Sequence, residues 1–143
     1  MATYWDTNCL LKLYCRESDS ERYVREVTVA RVPPRTSVLV RVELYFALQQ
    51  KAARGETGER GADELFSDFQ GDTERGGIQL LPFGDDVLIE ARNIARRCYA
   101  AAPQVLLRSL DGIHLATAIL AGCDRILSTD TRMNAAAVLF SLQ

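Results

Sequence analysis

Several features are scarce or missing in this chain of 143 residues, and each absence excludes a class of protein. No apolar run approaches the roughly 20 residues that span a bilayer. No basic segment followed by an apolar core marks a signal peptide. The chain has four cysteines and one histidine, without a CxxC pair or zinc-ligand spacing. We therefore expect a protein of the cytoplasm with reduced thiols, neither a membrane protein nor a disulfide or zinc scaffold.

The chain also lacks a strong net charge. Its formal charge of −2 argues against a non-specific nucleic-acid binder, which would be strongly basic. Lysine is scarce as well, because Lys12 and Lys51 are the only lysines among 17 basic residues. The remaining arginines suit bidentate phosphate contacts, although a GC-rich genome would produce the same bias.

What is present describes an ordinary globular chain, with 48% hydrophobic and 25% charged residues. Its length predicts a single domain over residues 1–143. Hydrophobic patterning predicts strands at residues 2–6, 35–38, 78–81 and 125–129. It predicts helices at residues 7–16, 18–30, 39–54, 59–70, 85–100, 109–121 and 131–137. Short strands alternating with helices predict an α/β fold with a parallel sheet covered on both faces.

Two acidic residues follow predicted strands. Asp6 ends the run Thr3-Tyr4-Trp5, and Asp130 closes the apolar run over residues 125–129. Functional groups in parallel sheets collect beyond the carboxyl ends of the strands, so we expect these two carboxylates at one site. Each could instead be the N-cap of the helix that follows it, and the sequence leaves that alternative open.

Two further acidic residues lie on apolar helical stripes. Glu43 has apolar neighbours three and four residues away on both sides, and Asp111 shares a face with Leu115 and Ala118. Ser109 is the predicted N-cap of the helix that carries Asp111, which places Asp111 in the first turn. Dipole stabilisation of ~0.3–1 kcal/mol does not offset the burial of a carboxylate, so we expect a cation opposite it.

His114 lies one turn from Asp111 and is a candidate general base, but a single histidine in an interior helix is more often a hydrogen-bonded structural residue. We favour that structural interpretation. With no set of histidine or cysteine ligands, four carboxylates predict a hard cation, Mg²⁺ or Mn²⁺, rather than Zn²⁺.

Four segments carry a family resemblance. They are residues 4–14, 36–44, 110–118 and 127–133, and they contain Asp6, Glu43, Asp111 and Asp130 in that order. In this order and spacing, they resemble the PIN-domain family, specifically the VapC-type toxins of type II toxin–antitoxin pairs. The segments span nearly the whole chain.

The resemblance implies a three-layer α/β/α fold with a central, mainly parallel sheet. It also implies a Mg²⁺- or Mn²⁺-dependent endoribonuclease that hydrolyses RNA phosphodiester bonds with a metal-activated water. The metal and catalytic residues would be Asp6, Glu43, Asp111 and Asp130, with Thr7 or Asn8 orienting a ligand or water. The implied partners are a cognate VapB-type antitoxin, an RNA of the tRNA or rRNA class, and a second copy in a homodimer.

Because the chain is mildly acidic, RNA affinity would depend on local basic patches, for which Lys12, Arg41, Arg108 and Arg132 are candidates. A haloacid-dehalogenase-like phosphatase also begins with a strand-ending aspartate, but it needs a second aspartate where this chain has Asn8. Two alternatives within the family stay open: a nuclease with a housekeeping role in RNA processing, and a catalytically silent PIN scaffold that binds RNA or protein.

Overall fold

The computed structural model describes residues 2–143, and its centre is a parallel sheet. The strands are β1 (Thr3–Trp5), β2 (Arg35–Ser37), β3 (Gln79–Leu81) and β4 (Arg125–Leu127). Within the described residues they form one sheet in the order β3-β2-β1-β4, and every neighbouring pair is parallel. All four strands therefore present their carboxyl ends at the same edge.

Helices fill the connections between the strands. They are α1 (Thr7–Leu11), α2 (Ser20–Val29), α3 (Val40–Ala53), α4 (Ala62–Glu74), α5 (Asp85–Ala100), α6 (Ser109–Leu120) and α7 (Thr131–Leu139). The prediction of an α/β fold with a central parallel sheet is confirmed.

The alternating direction of side chains along the strands explains why helices cover both faces of the sheet and form three layers. Successive side chains of a strand point to opposite faces, so Tyr4 and Trp5 belong to different hydrophobic cores. Ile126 joins the core of Tyr4, which α5, α6 and α7 complete, whereas Leu127 joins the core of Trp5, which α1 to α4 complete. The sheet is thus buried on both faces, as its nearly continuous apolar strands require.

The register of the two strands at one end of the sheet fixes where the first acidic residue lies. Thr3 pairs with Arg125 and Trp5 with Leu127, so β1 and β4 end level with each other. The backbone N–H of Asp6 continues the ladder and donates to the carbonyl of Leu127 over 2.9 Å. The residues immediately after β1 and β4 are therefore neighbours in space.

Several predicted boundaries were wrong. The first helix ends at Leu11 rather than residue 16, because the backbone N–H groups of Leu13 and Tyr14 bond carbonyls three residues back, as in turns, instead of four residues back. Helix α4 begins at Ala62 rather than residue 59, after Gly58 with a φ of +66°, a left-handed conformation outside a right-handed helix.

Two helix ends near the predicted site also differ. Ser109, the predicted N-cap of α6, is instead its first helical residue, and Arg108 occupies the extended cap position without a side-chain cap bond. Helix α7 continues to Leu139, two residues beyond its predicted end at residue 137. Within residues 2–143, no helix combines the length and apolar character needed to cross a bilayer.

Candidate functional site

A cavity of about 410 Å³ opens beside the end of β1, and we call it the acidic cavity. Its lining residues are Asp6, Thr7, Asn8, Glu43, Ala47, Arg108, Ser109, Leu110, Asp111 and Asp130. The structure thus brings the four predicted acidic residues together, with Thr7 and Asn8. They come from the end of β1, the first turns of α3 and α6, and the N-cap of α7.

Asp6 is the most deeply buried of the four, with 5% of its surface exposed. One oxygen, Oδ1, accepts the backbone N–H of Thr7 over 2.8 Å, so Asp6 is the N-cap of α1. The other, Oδ2, accepts the hydroxyl of Ser128 over 2.7 Å. The capping interpretation is therefore correct for Asp6, and it is compatible with a place in the cavity wall.

Asp130 also caps a helix. Its Oδ1 accepts the backbone N–H groups of Arg132 at 2.8 Å and Met133 at 3.3 Å. Burial raises the pKa of Asp130, but these two bonds and the charges of Arg132 and Arg108 lower it more. The pKa of Asp130 therefore lies below its ordinary value, and the carboxylate is charged at neutral pH. Its own backbone N–H donates to the Ser128 hydroxyl oxygen over 3.1 Å.

Asp111 is the one acidic residue of the cavity without a hydrogen bond to its carboxylate. Its Oδ2 is buried and has no donor among residues 2–143. Burial raises the pKa of Asp111, and the negative charges of Asp6 and Asp130 raise it further. The charges of Arg108 and His114 lower the pKa of Asp111 by less, so the net direction is upward. The folded chain holds this carboxylate in a position that disfavours its charge.

Arg108 is the cation that stands opposite Asp111. Its Nε lies 3.7 Å from Asp111 Oδ2, and its Nη2 lies 3.9 Å from Asp130 Oδ2. The arginine side chain is 69% exposed, and both distances exceed those of a good charge-assisted hydrogen bond. A single solvated guanidinium thus serves two carboxylates, which is weak compensation for both.

The carboxylate of Glu43 contacts a buried histidine. His114, 1% exposed, contacts Glu43 Oε1 through Nε2, and Tyr4 contacts the other ring nitrogen, Nδ1. Burial alone would lower the pKa of His114, but the bond to Glu43 and the surrounding carboxylates raise it more, so it lies above its ordinary value. The prediction that His114 is a hydrogen-bonded interior residue agrees with these contacts, and its partner is a cavity carboxylate.

The donor set suits a hard divalent cation. Carboxylate oxygens are the ligands that Mg²⁺ and Mn²⁺ prefer, and the buried, unpaired Oδ2 of Asp111 is an oxygen for which such an ion would provide the missing partner. As the side chains are placed, no three acidic, histidine or cysteine residues in the described part of the chain are close enough to ligate one ion. A cation bound partly through water, as Mg²⁺ commonly is, fits these residues.

The four basic candidates lie in different surroundings. Arg108 lines the cavity, and the Nε of Arg132 lies 3.7 Å from Asp130 at its edge. Arg41 is exposed near the start of α3 and does not line the cavity. The ammonium of Lys12 is occupied by ion pairs with Glu17 and Asp19. Arg108 and Arg132 are therefore placed to meet a ligand in the cavity, and Lys12 is not free to do so.

Ser128 is a site residue that the sequence did not single out. Its hydroxyl donates to Asp6 and accepts the backbone N–H of Asp130, so one oxygen links two of the acidic residues. The available signal was its position directly after β4, where parallel sheets place functional groups.

Comparison with known proteins identifies the family. The PIN domain profile matches residues 3–139, which is nearly the whole chain. The chain belongs to the PIN domain family. PIN domains are generally nucleases that use divalent metal ions, which is consistent with an acidic cavity at the carboxyl ends of the strands. Among curated protein sequences, no relative of this PIN domain is found.

Solved structures share the PIN fold at low sequence identity. VapC20 from Mycobacterium tuberculosis, described as a sarcin-ricin loop cleaving toxin, is 15% identical with a TM-score of 0.68, over 94% of this chain and 95% of that one. A toxin–antitoxin complex from Klebsiella pneumoniae is 14% identical with a TM-score of 0.63, over 94% and 91%. The FitAcB structure from Neisseria gonorrhoeae is 18% identical with a TM-score of 0.63, over 95% and 93%. At these identities the likeness shows the fold.

Proposed function

We propose that this PIN domain is a Mg²⁺- or Mn²⁺-dependent endoribonuclease and the toxin of a toxin–antitoxin pair. The observation that carries the proposal is the unpaired Oδ2 of Asp111, buried in a cavity that Asp6, Glu43 and Asp130 also line. A cavity built only for stability would have partnered that oxygen or replaced the carboxylate, because an uncompensated buried charge is destabilising.

The four acidic residues share one role in this proposal. Asp6, Glu43, Asp111 and Asp130 would hold the cation, directly or through water. When bound, a divalent cation would activate a water molecule and neutralise charge on the scissile phosphate. The water oxygen would lose a proton and add to phosphorus, the bond from phosphorus to the 3′ oxygen would break, and the 3′ oxygen would take up a proton from solvent, which leaves a 5′-phosphate and a 3′-hydroxyl.

The polar and basic residues around the acids would handle the rest of the substrate. Thr7 donates its hydroxyl to Glu43 over 3.2 Å, and Asn8 lines the same wall, so both can orient a ligand or water. Arg108 contacts Asp111 and Asp130 only at long range, and it is the group best placed to turn toward an RNA phosphate. Lys12 and Arg41 would contribute to RNA affinity only from outside the cavity.

The toxin part of the proposal is supported by the solved structures that share this fold. One of them is described as a toxin–antitoxin complex, and VapC20 is described as a toxin that cleaves the sarcin-ricin loop. We propose by analogy a VapB-type antitoxin as inhibitor, a homodimer as the assembly, and structured RNA of the tRNA or rRNA class as substrate. Such a substrate would place the activity in the cytoplasm.

Metal-dependent RNA cleavage by the purified protein tests the enzymatic part. We expect cleavage of structured RNA with Mn²⁺ or Mg²⁺, none with EDTA, and products that carry 5′-phosphates when their ends are sequenced. The variants Asp6→Asn and Asp111→Asn should each abolish cleavage. Glu59→Gln is the matched control, because it also removes one negative charge, from an exposed residue that does not line the cavity. Cleavage that persists in EDTA or in both variants would refute the mechanism.

Expression in a host separates a toxin from a housekeeping nuclease. The wild type should arrest growth, Asp111→Asn should not, and co-expression of a short reading frame encoded beside it should restore growth. Cleavage without growth arrest would favour the housekeeping role, and RNA binding without cleavage would favour a silent PIN scaffold.

A further inference from the structure

His114 is completely enclosed, so both of its ring nitrogens need partners. It is 1% exposed and lies on α6, three residues after Asp111. A buried imidazole without hydrogen bonds would be costly, and here each nitrogen has one neighbour. What the ring does therefore depends on which nitrogen carries the proton.

Tyr4 decides the tautomer of the neutral ring. Tyr4 is 0% exposed, and its Oη accepts the backbone N–H of Ser37 over 2.9 Å. The same oxygen lies 2.5 Å from His114 Nδ1. With a lone pair used by Ser37, Tyr4 can donate its own hydrogen to Nδ1, and the imidazole proton then sits on Nε2. In the protonated ring Nε2 also carries hydrogen, so the group that faces Glu43 is an N–H donor in either state.

Glu43 receives this donor at the wall of the acidic cavity. His114 Nε2 and the hydroxyl of Thr7 both donate to Oε1, and no group among residues 2–143 bonds Oε2. A glutamate side chain has several rotatable bonds and would sample many conformers if it were free. Two donors on one oxygen fix the carboxylate and leave the other oxygen available to a ligand.

We propose that His114 is a positioning residue, which holds the Glu43 carboxylate in place for the cation through its Nε2–H group. Tyr4 fixes the ring from the opposite side, and Ser37 fixes Tyr4, so the chain of bonds runs from the backbone at the end of β2 to the cavity. This inference rests on the proposed metal-dependent function. It gives the buried histidine a task other than that of general base.

The protonated nitrogen can be read directly, because the sequence contains a single histidine. An imidazole ¹⁵N–¹H correlation spectrum of the untagged, metal-free protein should show one ring system with hydrogen on Nε2. Tyr4→Phe should shift the Nδ1 resonance, since the phenol contact is lost. A neutral ring with hydrogen on Nδ1 alone would overturn the inference without any need for a variant of His114.

Metal affinity tests the positioning role separately from activity. Partners that orient metal ligands typically contribute 10–100-fold in affinity. We therefore expect His114→Asn, whose amide is too short to reach Glu43, to weaken Mn²⁺ binding about tenfold or more by electron paramagnetic resonance titration. His114→Gln places an amide N–H near the position of Nε2 and should recover most of the loss.

A double-mutant cycle distinguishes positioning from general support of the fold. If His114 acts through Glu43, His114→Asn should weaken Mn²⁺ binding in the wild type but not in a Glu43→Ala background. Thr117→Val is the matched control, because Thr117 is 2% exposed on the same helix and bonds only the carbonyl of Ile113. It should change the melting temperature without changing Mn²⁺ affinity.

The outcomes separate this inference from the proposed function. A wild-type protein that binds no Mn²⁺ removes the metal site, and the role of His114 with it. A wild type that binds Mn²⁺ while the cycle is additive, or while His114→Gln binds no better than His114→Asn, removes only the role of His114. Loss of affinity in the Thr117→Val control would also count against it, because any disturbance of α6 would then suffice.

Discussion

Replacing Asp111 by asparagine should stabilise the metal-free protein while removing its response to metal. The substitution keeps the shape of the side chain and deletes the charge that the fold disfavours. Asp111 Oδ2 is buried without a donor, and the charges of Asp6 and Asp130 face it. An unsatisfied buried polar group costs about 1–3 kcal/mol, and Arg108 at 3.7 Å together with partial exposure reduces that figure.

We therefore expect a gain of about 1 kcal/mol in the free energy of unfolding of the Asp111→Asn variant. For a chain of this size the gain corresponds to a rise of about 3–5 °C in the melting temperature. Calorimetry or circular dichroism in EDTA measures it. Glu59→Gln, which removes an exposed charge, should change the melting temperature by much less.

The same samples should behave in the opposite way with Mn²⁺. A hundredfold excess of Mn²⁺ over its Kd should stabilise the wild type by about 2.7 kcal/mol, whereas the variant should gain little. The order of the two melting temperatures would then reverse between EDTA and saturating metal. A variant that melts below the wild type in EDTA, or that keeps the full Mn²⁺ response, would refute this reasoning.

The raised pKa of Asp111 also predicts how the effect of Asp111→Asn on stability changes with pH. Because the pKa of Asp111 is raised in the folded protein, its charge destabilises the fold at pH values above that pKa. The advantage of Asp111→Asn should be full at neutral pH and should disappear as pH falls through the folded-state pKa toward the ordinary value. An advantage that grows on acidification would show that another group is responsible.

Substitutions at three other residues have expected outcomes. Asp130→Ala should lower stability by about 1 kcal/mol in thermal melts, because it removes the cap of α7. Asp130→Asn keeps a capping oxygen and should lose less. Equal melting temperatures for these two variants would contradict the capping role. Since the pKa of Asp130 is lowered, its charge stabilises the fold above the unfolded-state pKa, and that contribution should be lost as pH falls through the folded-state pKa. Gly112→Ala should raise stability by about 1 kcal/mol, because a Cβ there would meet only Leu107 Cδ2 at an ordinary 3.9 Å, and a lower melting temperature would show a clash. Arg108→Gln should tighten Mn²⁺ binding by about fivefold at most, because Arg108 and the cation compete for the same carboxylates and the exposed ion pair is worth ~0–1 kcal/mol. The variant should also bind RNA more weakly. Weaker Mn²⁺ binding would contradict the competition between Arg108 and the cation.

The sheet and the edge that carries the site could be predicted from the sequence because both follow from local rules. Apolar runs of strand length, separated by helical patterns, require a parallel sheet covered on both faces. Once the sheet is parallel, the residues that follow β1 and β4 must meet at one edge. That is why Asp6 and Asp130 could be placed together without coordinates.

The partners of the acidic residues could not be predicted in the same way. Glu43 and His114 are 71 residues apart in sequence, and their contact depends on how α3 and α6 pack against the sheet. Ser128 looked like one more residue of a strand, because its role depends on the register of β4 beside β1. The cap of α6 was also misplaced, since Ser109 has a favourable capping side chain and the chain nevertheless enters the helix from Arg108.

The distance along the chain between the residues of the site has a kinetic consequence. Asp6 and Ser128 are 122 positions apart, so the carboxylates meet only after the sheet has closed across nearly the entire polypeptide. Contacts of such long range form late, when most of the apolar surface is already buried. Repulsion among the acids would then affect mainly the lifetime of the native state. Neutralising Asp111, the acid whose charge the fold disfavours, should slow unfolding and leave the refolding rate almost unchanged.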